Sequence, residues 1–149
     1  MVIVCVLAAL RPARSHLHFR VKKGFFSRAE LEFYQQLCHA LRHQQVMVLC
    51  KVGLRDIFDF SFDSEHLRAL GAKHVDFLVV NQSGQLLYAI ELDGKSHQSH
   101  RQQAWDQQKN QIFLSARLPL LRFSNHEGVS AAQLQARLAV AQKKLKGQG

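Results

Sequence analysis

The sequence is short of several things, and each shortage removes a class of protein. It has only three cysteines, Cys5, Cys38 and Cys50, with no C-x-x-C pair among them. An odd, scattered set of thiols excludes a disulfide scaffold and argues against a structural zinc site. No internal period is found, which argues against a repeat array. There is no long apolar run: Val2 to Leu10 is continuous and apolar, but a spanning helix needs ~20 such residues. No positive segment precedes that run, so it fits a secretory signal poorly. Acid is also missing from both ends: residues 1–26 and 128–149 contain no Asp or Glu.

What is present is ordinary for a folded domain. The chain has 149 residues, 47% hydrophobic and 21% charged. That is enough for one domain with a real core, and it excludes disorder over most of the length. The net charge of +9 is unevenly placed. Arg11, Arg14, Arg20, Lys22 and Lys23 lie in the first acid-free end, and Arg137, Lys143, Lys144 and Lys146 in the second. The middle carries eleven bases and all eleven acids, so it is neutral. Basic ends suit a phosphate backbone or an anionic lipid surface, and serve equally as solubilising tails. Val2 to Leu10 remains open between a buried strand, a clipped membrane anchor and an interfacial segment. The expected location is cytoplasmic, or else the cytoplasmic face of the inner membrane if the N-terminus associates with lipid.

Periodicity outlines the elements. Ser27-Arg28-Ala29-Glu30 is a capping box, and Leu31, Tyr34, Leu37, Cys38 and Leu41 follow at helical spacing. Gln45 to Val52 reads as a strand, and residues 53–70 as a loop with a short helix. Val75–Val80 and Leu86–Leu92 are apolar strands around the turn signal Asn81-Gln82-Ser83-Gly84, which predicts a hairpin. A polar helix is expected from Ser99 to Ala116, with Trp105, Ile112, Phe113 and Ala116 inward. A short strand follows at Pro119–Phe123. A final amphipathic helix covers 130–146, with Leu134, Leu138, Ala141 and Leu145 on one stripe. This order predicts an α/β (mixed α+β) fold, a mixed sheet with helices packed on it.

The chemistry-bearing residues gather on the hairpin. Glu91 and Asp93 are two apart on one strand and share a face, and Asp76 lies on its neighbour. Three converging carboxylates suit a hard divalent cation; solvated acids at strand ends would read the same way. Lys109 falls on the inward stripe of the following helix, where a carboxylate partner or a snorkelling position would satisfy it. Asp106 shares its face. Glu30 aligns with Tyr34, Leu37 and Leu41, so it looks inward from the first helix or serves only its capping box. His97 follows a glycine-broken loop, a place for a general acid or a phosphate contact.

The runs IELDGKSH (Ile90–His97), WDQQK (Trp105–Lys109) and LPLLRF (Leu118–Phe123) together resemble the PD-(D/E)XK nuclease superfamily, nearest its very-short-patch-repair-endonuclease-like branch. AKHVDFLVV (Ala72–Val80) and SRAELEFYQQL (Ser27–Leu37) extend the likeness. The whole pattern is similar to the bacterial family known as domain of unknown function 2726. The resemblance implies a restriction-endonuclease-like α-β-β-β-α-β core over 25–126, between a basic N-terminal segment (1–24) and a C-terminal amphipathic basic helix (127–149). It implies a metal-dependent nuclease using Mg²⁺ or Mn²⁺, with DNA the foremost substrate and a homodimer a further expectation.

Asp76 matches the superfamily's opening Asp and Glu91 its Glu. At the lysine position this chain departs, with Asp93 in its place. The resemblance therefore implies Asp76, Glu91 and Asp93 as metal ligands, Lys109 as the substitute lysine, Glu30 as a first-helix acid and His97 as an auxiliary catalytic group. Lys95, Arg101 and Arg122 are the expected nucleic-acid contacts. The alternative is a catalytically degenerate domain of the same fold that binds nucleic acid or protein.

Overall fold

Ser27 starts the first helix as expected. Its hydroxyl accepts the Glu30 N–H at 3.3 Å, and the Glu30 carboxylate accepts the Ser27 N–H at 2.6 Å. This reciprocal box satisfies two otherwise orphaned backbone donors. Helix α1 (Arg28–Leu41) buries Phe33, Leu37 and Leu41. The buried stripe is therefore centred on Phe33, and Leu31, expected inside, is 44% exposed. The Phe33 ring decides the rotation: it packs 5.6 Å from Phe77 and 5.1 Å from Phe123, centroid to centroid, worth more than burying one leucine.

The remaining elements are β1 (Val46–Gly53), α2 (Leu54–Ile57), β2 (His74–Asn81), β3 (Leu86–Asp93), α3 (His100–Ser115), β4 (Leu120–Ser124) and α4 (Ala131–Lys146). The computed structural model describes residues 19–59, 72–94, 100–124 and 129–146, without the side chains of 100–102 and 144–146. The order matches the sequence reading, and the fold is mixed α/β. The four strands form one sheet in the order β1-β2-β3-β4. The first two pairings are antiparallel and β3–β4 is parallel, with α3 as the crossover.

The β2–β3 turn explains itself. The Asn81 side-chain oxygen accepts the N–H groups of Ser83 and Gln85 at 3.0 and 2.8 Å. Gly84 takes a φ of 80°, which costs glycine little.

Each sheet face has its own core. On one, α1 and α4 supply Phe33, Leu37, Leu134, Leu138 and Ala141 against Phe77, Val79, Tyr88 and Ile90. On the other, Phe113 of α3 joins Leu54, Val75, Leu78, Val80 and Ala89, with Trp105 and Ile112 beside it. Ala116 lies past the end of α3 and is exposed, contrary to expectation. The helix closes at Ser115 because Arg117 turns left-handed (φ 55°). Leu118 N–H then bonds to Phe113 C=O and Arg117 N–H to Leu114 C=O, at 3.0 and 3.1 Å, a Schellman ending. The Leu134, Leu138 and Ala141 stripe of α4 is as expected, while the Leu145 side chain lies outside the described residues. Among the described residues no helix is long and apolar enough to cross a membrane. The Val2–Leu10 run falls outside them.

Candidate active site

The site begins as an interruption in the sheet. The β1–β2 register runs from Val46↔Asn81 to Cys50↔Phe77 and resumes at Val52↔Val75, leaving Lys51 and Asp76 unpaired. Lys51 has a φ of 55°, a left-handed conformation that costs a side-chain-bearing residue about 1–2 kcal/mol. The kink inverts the facing of both strands. Cys50 and Phe77 pack in the α1-side core, yet Val52 and Val75, two residues away, pack in the α3-side core. An undisturbed strand would keep such pairs on one face.

The neighbouring ladder opens at the same level. The β2–β3 pairing starts at Phe77↔Ile90. Beyond it, Asp76 Oδ2 takes the place of a backbone acceptor and receives the Leu92 N–H at 2.8 Å. That bond ties the Asp76 carboxylate to the backbone between Glu91 and Asp93.

Two ion-pair networks meet here. On the α1 side, Lys51 pairs with Glu30, and its Nζ stands 4.0 Å from Asp76 Oδ1. Glu30 thus does both things the sequence allowed: it closes the capping box and looks into the site. Burial pushes its carboxyl group up, but hydrogen bonds from Lys51 and Ser27 outweigh that and hold it below the ordinary carboxylate value.

On the α3 side, Lys109 pairs with Glu91. Arg122, laterally paired with Glu91 in the β3–β4 register, reaches Glu91 Oε2 at 3.1 Å, Asp93 Oδ1 at 2.9 Å and Asp106 Oδ1 at 3.7 Å. It also donates to Asn110 Oδ1 at 3.2 Å. Glu91 is the one buried charged residue among the described residues. Two cations on one buried carboxylate offset the cost of removing it from water.

The structure therefore joins Glu30 and Asp76 through Lys51, and Glu91, Asp93, Asp106 and Lys109 around Arg122, with the Asp76–Leu92 bond linking the two groups. Arg122 is engaged by acids. His97 and Lys95 lie outside the described residues, and so does the Arg101 side chain. Lys51 was missed. Its only sequence signal is a lone charge inside an apolar strand, between Cys50 and Val52.

The charge balance of the assembled site is uneven. Among the described residues, five carboxylates (Glu30, Asp76, Glu91, Asp93 and Asp106) face three cations (Lys51, Lys109 and Arg122). The donors are hard oxygens and the excess charge is that of one divalent ion, so Asp76, Glu91 and Asp93 fit Mg²⁺ or Mn²⁺ in chemistry. In the present arrangement the acids are pinned by lysine and arginine. Among the described residues no three His, Cys, Asp or Glu side chains are grouped as a ready metal cage.

Fold and site together define a mixed α/β domain with a charged centre built on a strand hairpin, a kink and two helices. Residues 22–141, most of the chain, match the family described as protein of unknown function (DUF2726), and the chain belongs to that family. No curated protein and no solved structure gives a significant match.

Proposed function

We propose that this protein is a metal-dependent nuclease that hydrolyses phosphodiester bonds in nucleic acid, with DNA as the foremost substrate. One observation carries the reading: Asp76 of β2 and Glu91 and Asp93 of β3 lie at the same end of one hairpin, with Asp76 Oδ2 on the Leu92 N–H between the other two and Lys51, Lys109 and Arg122 as their cation partners. Asp76, Glu91 and Asp93 would hold Mg²⁺ or Mn²⁺. Such an ion, when bound, lowers the pKa of a coordinated water and offsets charge building on a phosphoryl oxygen.

The chain's own residues do the rest. Lys109 and Arg122 hold the Glu91 carboxylate in place. Arg122 also spans Asp93 and Asp106, so one guanidinium fixes the spacing of three acids. The exposed basic residues Arg20, Lys22 and Lys23 at the start of the described chain would contact the backbone without reading sequence. No sequence-reading helix or zinc finger is evident in the sequence, so cleavage is expected to depend on substrate form more than on base order.

The test is a cleavage assay on linear, supercoiled, nicked, branched and single-stranded DNA with Mg²⁺ and with Mn²⁺. Native protein is compared with Glu91→Gln. Metal-dependent cutting by the native chain, lost in the variant, is the expected result. A folded native protein that cuts none of them with either ion rejects the reading.

A second reading has one observation in its favour: both Glu91 oxygens are already occupied by Lys109 and Arg122. A domain whose acids serve only to hold its cations would be a binding module for nucleic acid or protein. It predicts DNA binding that survives Glu91→Gln and is indifferent to metal. The expected setting of either activity is cytoplasmic. Homodimer formation and lipid association through the N-terminus are separate proposals, tested by light scattering and by vesicle flotation.

A further inference from the structure

The three site cations are not equivalent. Lys109 and Arg122 converge on Glu91, whose side chain is 9% exposed, and Lys109 itself is 12% exposed. They neutralise a buried charge and cannot leave without stranding it. Lys51, as exposed as Arg122 at 26%, differs in being shared between two acids on its own side of the site, neither of them Glu91. Glu30 is its close partner. Asp76 Oδ1, at 4.0 Å, lies at the outer limit of an ion pair.

Asp76 is also unusual in how it is held. Its Oδ2 is fixed by the Leu92 N–H at 2.8 Å, which sets the plane of the carboxylate. Oδ1 is then left as an oriented donor atom, with an ammonium nearby that belongs mainly to another acid. The left-handed backbone at Lys51 lies directly opposite, at the skipped position of the ladder. Strain of this kind persists only where the surrounding structure overrides it.

We propose that Lys51 is a resident counter-cation that competes with a divalent metal ion for Asp76. With no metal bound, its ammonium offsets Asp76 and Glu30 together. A divalent ion at Asp76 Oδ1 would repel that ammonium, and Glu30, already its close partner, keeps Lys51 inside the site. The competition weakens metal affinity in exchange for a site that carries less uncompensated negative charge when empty. This inference rests on the metal-dependent reading above.

The experiment measures Mn²⁺ binding to the full chain by electron paramagnetic resonance and Mg²⁺ binding by calorimetry. Native protein is compared with Lys51→Met, Lys51→Arg and Asp76→Asn. Removing one positive charge from beside a divalent ion is expected to strengthen its binding by about tenfold, the order set by charge repulsion across a few ångströms in a partly exposed site. Lys51→Met is therefore expected to bind Mn²⁺ about tenfold more tightly than native protein. Lys51→Arg stays close to native, and adding Asp76→Asn to Lys51→Met abolishes the gain. Lys51→Gly, which suits a φ of 55°, removes the same charge without backbone strain and serves if Lys51→Met does not fold.

Native protein that binds Mn²⁺ while the folded Lys51 variants bind it equally or less tightly overturns the counter-cation role and leaves the nuclease reading standing. Saturable binding by neither native protein nor the variants overturns both.

Discussion

On the α1 side of the site one lysine serves two acids, and on the α3 side two cations converge on one buried acid while Arg122 also reaches Asp93 and Asp106. The contrast follows from burial. Glu91 sits under α3 in the middle of the sheet, where an unpaired carboxylate is expensive, so it is surrounded. Glu30 and Asp76 lie where the β1–β2 ladder is broken, closer to water, and one shared ammonium suffices. Half of the centre is therefore a rigid structural network, and half is loosely held chemistry on a strained strand.

Substitutions that remove one partner at a time should separate the halves. The largest effect is expected from Glu91→Ala, which strands the mostly buried Lys109 and leaves Arg122 with Asp93 and Asp106 alone. A loss of about 3–5 kcal/mol in denaturant unfolding is expected, the range for breaking a buried pair from one side. Lys109→Met leaves Arg122 on Glu91, so its cost falls to roughly 2 kcal/mol, that of one charged hydrogen bond. Lys51→Met is expected to cost less than Lys109→Met in the same experiment. The reverse order would mean that the two halves of the centre do not differ in burial cost.

Backbone strain can be isolated from charge. Lys51→Ala and Lys51→Gly lose the same ion pair, but only glycine accepts the left-handed φ freely. The glycine variant should be more stable than the alanine variant by about 1 kcal/mol. Equal stabilities would mean that the chain relaxes the kink once the lysine is gone.

The smallest effect is one of pH. Despite its burial, Glu30 is held below the ordinary carboxylate value by Lys51 and Ser27. Its folded pKa therefore lies below its unfolded one. The stability it contributes is complete above the ordinary carboxylate value and is lost as pH falls through the lowered one. Melting temperatures from about pH 3 to pH 7 should show a shallower acid limb for Glu30→Gln than for native protein. An unchanged limb would remove Glu30 from the network.

Much of this architecture was legible beforehand, and the failures have physical causes. The hairpin was readable because apolar strands flank an Asn-to-Gly turn. Asp76, Glu91 and Glu30 were readable because period and capping place them. Leu31 and Phe33 lie on nearly opposite faces of α1 and each begins an apolar series, and only the rings of Phe77 and Phe123 decide that Phe33 turns inward. Ala116 was assigned to α3 because an alanine carries no stop signal. The stop comes from Arg117 in a conformation more typical of glycine. Lys51 was invisible because strict alternation puts it on the opposite face from Cys50 and Val52, as an ordinary surface lysine.

The sequence by itself determined the order of the elements, the two apolar faces of the sheet and the supply of acids at one end of the hairpin. Those follow from side-chain period and turn chemistry, which are local. Only the tertiary structure decided which cation meets which carboxylate. Lys51, Glu30 and Asp76 come from three separate elements, and so do Lys109, Glu91 and Arg122. Their meeting depends on a broken ladder and a left-handed residue, which packing imposes against the local preference of the chain.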